Sequence, residues 1–271
     1  MDRKDPHELQ KHMLGTYHSL RVGLVVISVA LPLVVAGAGG VLHHVWLKPS
    51  ISQYYHATAR LPFLTTRDLF VGGLLAAAAC LYLYKGFSTR ENVALNLGGV
   101  FAAFVAALPT AATQADRGLV SRLHAASAVL FFLCIAYVSV FRARDTLRLL
   151  SPEKRPLYAR WYLWTGVAMV LSPLAAVALS YILDQESQST LVFWVETFGV
   201  WAFAAFWFIK SREMRASKAE ELALDAKLKR EVVPTTQTSD AGTPTVGGAS
   251  GALLRAVTPK SGMVERILPA Q

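Results

Sequence analysis

Six stretches of this chain carry almost no charge, and their lengths are the strongest constraint on its fold. A helix rising 1.5 Å per residue needs about 20 apolar residues to cross the roughly 30 Å hydrocarbon layer of a bilayer. Val22 to Leu47, Asn92 to Ala115, Leu123 to Phe141 and Trp161 to Leu183 each supply that length between flanking charges. Leu69 to Tyr84 is shorter, about 16 residues or about 24 Å of helix. Gln188 to Ile209 is long enough but contains Glu196. Only 17% of the 271 residues are charged, against about 25% in ordinary globular proteins. A soluble monomer does not fit. The expected fold is all-α, a six-helix transmembrane bundle.

Lys and Arg gather on alternate sides of these spans. Arg3, Lys4, Lys11 and Arg21 precede the first, Lys85 and Arg90 follow the second, and Arg142, Arg144, Arg148, Lys154, Arg155 and Arg160 follow the fourth. Lys210, Arg212, Arg215 and Lys218 follow the sixth, whereas the odd-numbered loops hold few. The positive-inside bias puts both termini in the cytoplasm, N-in and C-in. The net charge of +9 is mostly this topological signal. It shows no interleaving of aromatic and basic residues that would suggest nucleic acid. The first apolar stretch exceeds the roughly 7 to 15 residues of a cleavable signal core, so it reads as a retained helix with a bend near Pro32.

The expected organisation is a cytoplasmic arm over 1–20, a membrane domain over 21–212, an amphipathic cytoplasmic helix over 213–232 and a disordered tail over 233–271. The last helix is expected to run on past Lys210, with Leu222, Leu224 and Leu228 on the apolar face of this extension. The tail is rich in Thr, Gly, Pro and Ser and buries too little to fold. Cys80 and Cys134 both fall within spans, far from any paired-cysteine motif.

Ionisable groups inside a span need a reason, because an Asp at mid-helix costs about 2.5 to 3.5 kcal/mol on the insertion scale. Glu196 sits in the outer third of the sixth span, about 20 Å from Lys210, which is expected to snorkel to the inner surface. Asp68 opens the short second span and is expected to face protein along a ridge of small residues, Gly72, Ala76, Ala79 and Cys80. His124 opens the fourth span with Ser127 on the same face. Asn96, Gly99, Ala103, Ala106 and Thr110 form a stripe on the third span, and Thr165, Ser172, Ala176 and Ser180 another on the fifth. Both read as packing stripes. The first external loop adds Ser50, Ser52, Tyr54, Tyr55 and His56, with Arg67 at its end. The topology thus gathers these groups at one end of the bundle.

Two functions suit such a cluster, and a third reading makes it purely structural, holding the helix ends together. In a metal-dependent hydrolase acting on a lipid or lipid-linked substrate, His56, Asp68 and His124 would hold zinc and Glu196 would be the base. Asp68, His124 and Glu196 are then the catalytic candidates. No HExxH, GxSxG or paired-cysteine motif accompanies them. In a non-enzymatic protein, Ser50, Ser52, Tyr54, Tyr55, His56 and Arg67 would meet a lipid headgroup or small ligand through its phosphate or hydroxyl groups, or the bundle would act as a sensor or assembly partner through its cytoplasmic tail. A haem carrier would need axial histidines facing each other, and only His44 and His124 could serve.

The string SISQYYHATARLPFLTTRDLFVGGLLAAAACLYLYKGF, the span NLGGVFAAFVAALPT and the later His124 resemble a bacterial family of six-helix membrane proteins known as a domain of unknown function. The resemblance covers about Arg21 to Arg212 and rests on Ser50, Ser52, Tyr54, Tyr55, His56, Arg67, Asp68, Phe70, Gly72, Tyr84, Lys85, Gly86, Pro109, His124, Glu196 and Gly199. More distantly, the chain is similar to the eukaryotic damage-regulated autophagy modulators. The resemblance implies a six-span bacterial plasma-membrane protein and supplies no reaction.

Overall fold

Polar caps set where the helices begin. Thr65 accepts from the Asp68 N–H while the Asp68 carboxylate accepts from the Thr65 N–H, a capping box that starts one helix, and Ser88 accepts from the Glu91 N–H to start the next. In the computed structural model, residues 6–43, 47–58, 60–61, 64–113, 117–183 and 189–222 are described. They form α1 (Pro6–His43), α2 (Thr66–Leu83), α3 (Thr89–Ala107), α4 (Leu119–Tyr137), α5 (Arg155–Ile182) and α6 (Leu191–Ser217). A 3-10 helix, Ile51–His56, and a hairpin of two short strands, β1 (Arg60–Leu61) and β2 (Leu64–Thr65), join α1 to α2. Past Tyr137 the fourth helix loosens into a π-turn, Val138–Arg142, and then a 3-10 segment, Ala143–Leu149.

The protein is mostly helical, and among the described residues five helical segments are long and apolar enough to cross a membrane. These are α1, α2, α4 with its continuation to Leu149, α5 and α6. α3 is the exception, since it opens with Thr89, Arg90, Glu91 and Asn92 and carries Asn96. Large apolar side chains point outward along the bundle, among them Val26, Leu33, Phe104, Trp164, Leu171 and Phe198. Exposure of this kind is stable when the outer surface meets acyl chains.

Each helix packs against its sequence neighbours, and α6 closes back on α1, so the six form a ring. Small residues set the closest approaches. A Cβ on Gly99 would lie 2.9 Å from the Ala78 carbonyl oxygen, and one on Gly199 only 2.1 Å from Ser172 Oγ. One buried cluster fills the middle and the Lys210 end, around Leu24, Leu81, Ile135, Tyr162 and Trp207. A second lies at the opposite end, where Ile51, Tyr54 and Ala57 of the 3-10 segment pack on Leu31, Val35, Phe70 and Phe193.

The structure corrects three expectations. The ridge on α2 does not face the bundle: Asp68, Gly72, Ala76 and Ala79 are exposed, and the buried face is Thr66, Phe70, Ala77, Ala78 and Leu81. Asp68 satisfies the helix N-terminus locally, so it needs no buried partner. Lys210 does not snorkel. It is 2% exposed and its ammonium donates to Thr146 Oγ1 at 2.9 Å and to Glu213 at 3.0 Å, and Tyr162 donates to the same carboxylate. Finally, α6 does not continue unbroken, because Lys218 adopts a left-handed conformation with φ 52°. The helix ends there, and Glu220, just beyond it, pairs with the buried Arg21 of α1. The remaining extension beyond Leu222 and the tail over 233–271 lie outside the described residues.

Candidate functional site

A single turn of chain ties the end of the bundle together. Ser50, with extended backbone, caps the 3-10 helix, and its Oγ accepts from the Ser52 N–H at 3.1 Å. The same hydroxyl donates to the Glu196 carboxylate, lying 2.9 and 2.8 Å from the two oxygens. The Ile51 N–H donates to Glu196 at 2.7 Å, and the Phe193 N–H to the Pro49 carbonyl at 2.8 Å. Glu196 thus has a structural reason to lie within a span: it binds the turn that seals the bundle.

Ser52 carries the chain of bonds onward. Its Oγ lies 3.1 Å from His124 Nε2, and His124 Nδ1 lies 2.7 Å from the Leu108 carbonyl oxygen. A carbonyl can only accept, so Nδ1 bears the imidazole proton. Nε2 of the neutral ring then accepts from the Ser52 hydroxyl. His124 is 3% exposed, so this tautomer is held within protein. Leu108 is the residue at which α3 ends before Pro109, where helix carbonyls lack helical partners.

Below this chain lies a cavity of about 230 Å³. Its polar wall includes Ser50, Ser52, Gln53, His124 and Glu196, and its apolar wall includes Leu74, Val105, Phe132, Ala176 and Val200. Arg122 lines it too and is exposed. Arg117, another lining residue, donates to the Ser180 carbonyl and stacks 4.6 Å from the Tyr181 ring centroid.

The remaining candidates divide. Tyr54 is fully buried against Phe193, and burial pushes its phenol above the ordinary value. Arg67 donates to Tyr55 Oη at 2.7 Å and stacks over that ring at 4.2 Å, and His56 Nε2 lies 2.8 Å from the Thr110 carbonyl. These side chains fasten the loop and do not line the cavity. Asp68 is occupied with Thr65, at 2.8 Å from both its N and its Oγ1. His56, Asp68 and His124 therefore do not converge as zinc ligands, and the described residues hold no cluster of three His, Cys, Asp or Glu fit for a metal. His44, proposed as a haem ligand, lies outside the described residues. Sequence reasoning overlooked Gln53 and Arg122 as lining residues, although one adjoins Ser52 and the other precedes His124 by two positions.

Comparison of the chain with family models, curated proteins and solved structures returned no match.

Proposed function

We propose that this chain is a six-span plasma-membrane protein with both termini in the cytoplasm, and that its outer cavity binds a lipid or another amphiphile by its polar end. Membership of the six-helix family that it resembles belongs to the same proposal. The basic inner loops support the orientation, and the bonded end of α3 supports counting that helix as a sixth span. One observation carries the binding reading: the cavity joins a hydrogen-bonding wall under the outer turn to an apolar wall within the bundle. Its volume of about 230 Å³ falls below the roughly 300 to 1,000 Å³ of drug-sized pockets. It suits a headgroup with a short length of chain, or a small ligand.

Native mass spectrometry of the detergent-purified chain tests this. The expected result is a co-purified amphiphile that is displaced in Ala128→Trp, which fills the cavity wall. A wild-type chain that carries none, and takes up none from phospholipid vesicles, overturns the reading. A reporter fused at the C-terminus tests the topology, with a cytoplasmic signal expected.

A further inference from the structure

We infer that Ser52 and His124 form a nucleophile and base that cleave a carboxylic ester of an amphiphile held in the cavity. The inference rests on the proposed binding role and assigns chemistry to the same site. Ser50 already caps the 3-10 helix, so the Ser52 hydroxyl is free of that task and gives its bond to the imidazole instead. The contact has the geometry that nucleophilic catalysis requires: 3.1 Å from hydroxyl to imidazole, and a 2.7 Å bond from the far ring nitrogen to an orienting acceptor. Here the orienting acceptor is a backbone carbonyl at the end of α3. The partial negative charge at a helix C-terminus favours the imidazolium that forms when His124 takes the proton. Both residues line the cavity, beside an apolar wall that would hold an acyl chain.

The steps balance without metal or redox partner. His124 Nε2 takes the Ser52 proton as Oγ bonds to the ester carbonyl carbon. The bond from that carbon to the alcohol oxygen breaks, and Nε2 returns the proton to the departing alkoxide. Water then loses a proton to Nε2 and attacks the acyl-serine, the Oγ–acyl bond breaks, and Ser52 recovers its proton. One ester and one water give one carboxylic acid and one alcohol. Gln53 and Arg122 share the cavity wall, and their N–H groups are the donors the inference assigns to the developing oxyanion.

The test is labelling of the full-length chain in detergent with a fluorophosphonate, followed by peptide mapping and by turnover of a p-nitrophenyl ester. The expected adduct is on Ser52. Ser52→Ala should lose it, and His124→Ala should slow labelling about 100-fold or more, as loss of a general base does. A cooperative circular-dichroism melt of each variant shows that its fold persists. If either variant fails to fold, the wild-type map decides alone. An adduct on another serine, or none, overturns the ester-cleaving pair. Where the amphiphile is still bound, the binding role survives that result; where it is absent as well, both fall.

Discussion

Replacing Glu196 with alanine removes the acceptor on which the Ser50–Ser52 turn closes. The Ile51 N–H, in a residue 5% exposed, loses its 2.7 Å bond, and the Ser50 hydroxyl loses a carboxylate lying 2.8 and 2.9 Å away. Ser50 has one proton, so its two distances describe one shared bond, and with the Ile51 N–H at least two charge-assisted bonds are lost. At about 1.5 to 3 kcal/mol each, the expected destabilisation is about 3 to 6 kcal/mol. Ser50→Ala should lose one of these bonds together with its cap on Ser52, itself worth about 0.5 to 2 kcal/mol. The double variant separates the terms, since the Ser50–Glu196 bond can be broken only once. The expected coupling is about 1.5 to 3 kcal/mol. Equilibrium unfolding of the four proteins in mixed micelles, followed by circular dichroism, measures it. Additive effects within about 0.5 kcal/mol would show that the bond contributes nothing, and would refute the account of Glu196 as the clamp.

At the opposite end, Lys210→Met should destabilise by about 3 to 5 kcal/mol, because it strands the fully buried Glu213; the double variant with Glu213→Gln should recover much of that in the same unfolding assay. Gly199→Ala drives a methyl into Ser172 Oγ and should cost about 1 to 3 kcal/mol, with Ser172→Ala relieving part of it in a thermal melt. The raised pKa of Tyr54 favours the protonated, folded state. Its contribution is therefore complete below the ordinary tyrosine value of 10.0 and is lost as pH rises through the higher folded value. Tyr54→Phe should flatten this alkaline loss in melts taken on both sides of pH 10, and an unchanged slope would argue against burial as its cause.

Charge spacing made the helices legible, because bilayer thickness converts directly into residue counts. It also placed Ser50, Ser52, His124 and Glu196 at one end without any contact information. Asp68 misled for a physical reason: an acidic residue at the edge of a span satisfies a helix N-terminus as readily as a buried partner, and only Thr65 three residues earlier distinguishes the cases. Lys210 was misread in a similar way. Snorkelling is the usual outcome for a lysine near a helix end, and the Glu213 carboxylate that holds it lies just beyond the apolar window. The bond from Ser52 to His124 spans 72 positions and two intervening helices, and no local periodicity encodes it.

The close seams of the ring bear on how a guest would travel. At Gly199 the fifth and sixth helices stand too near for even a methyl group between them, and Gly99 brings the second and third together in the same way. Sideways passage of an acyl tail is shut at those levels. A guest that passed over the rim would meet the short segment pinned by Glu196, and the strength of that pin would then govern residence time as well as folding.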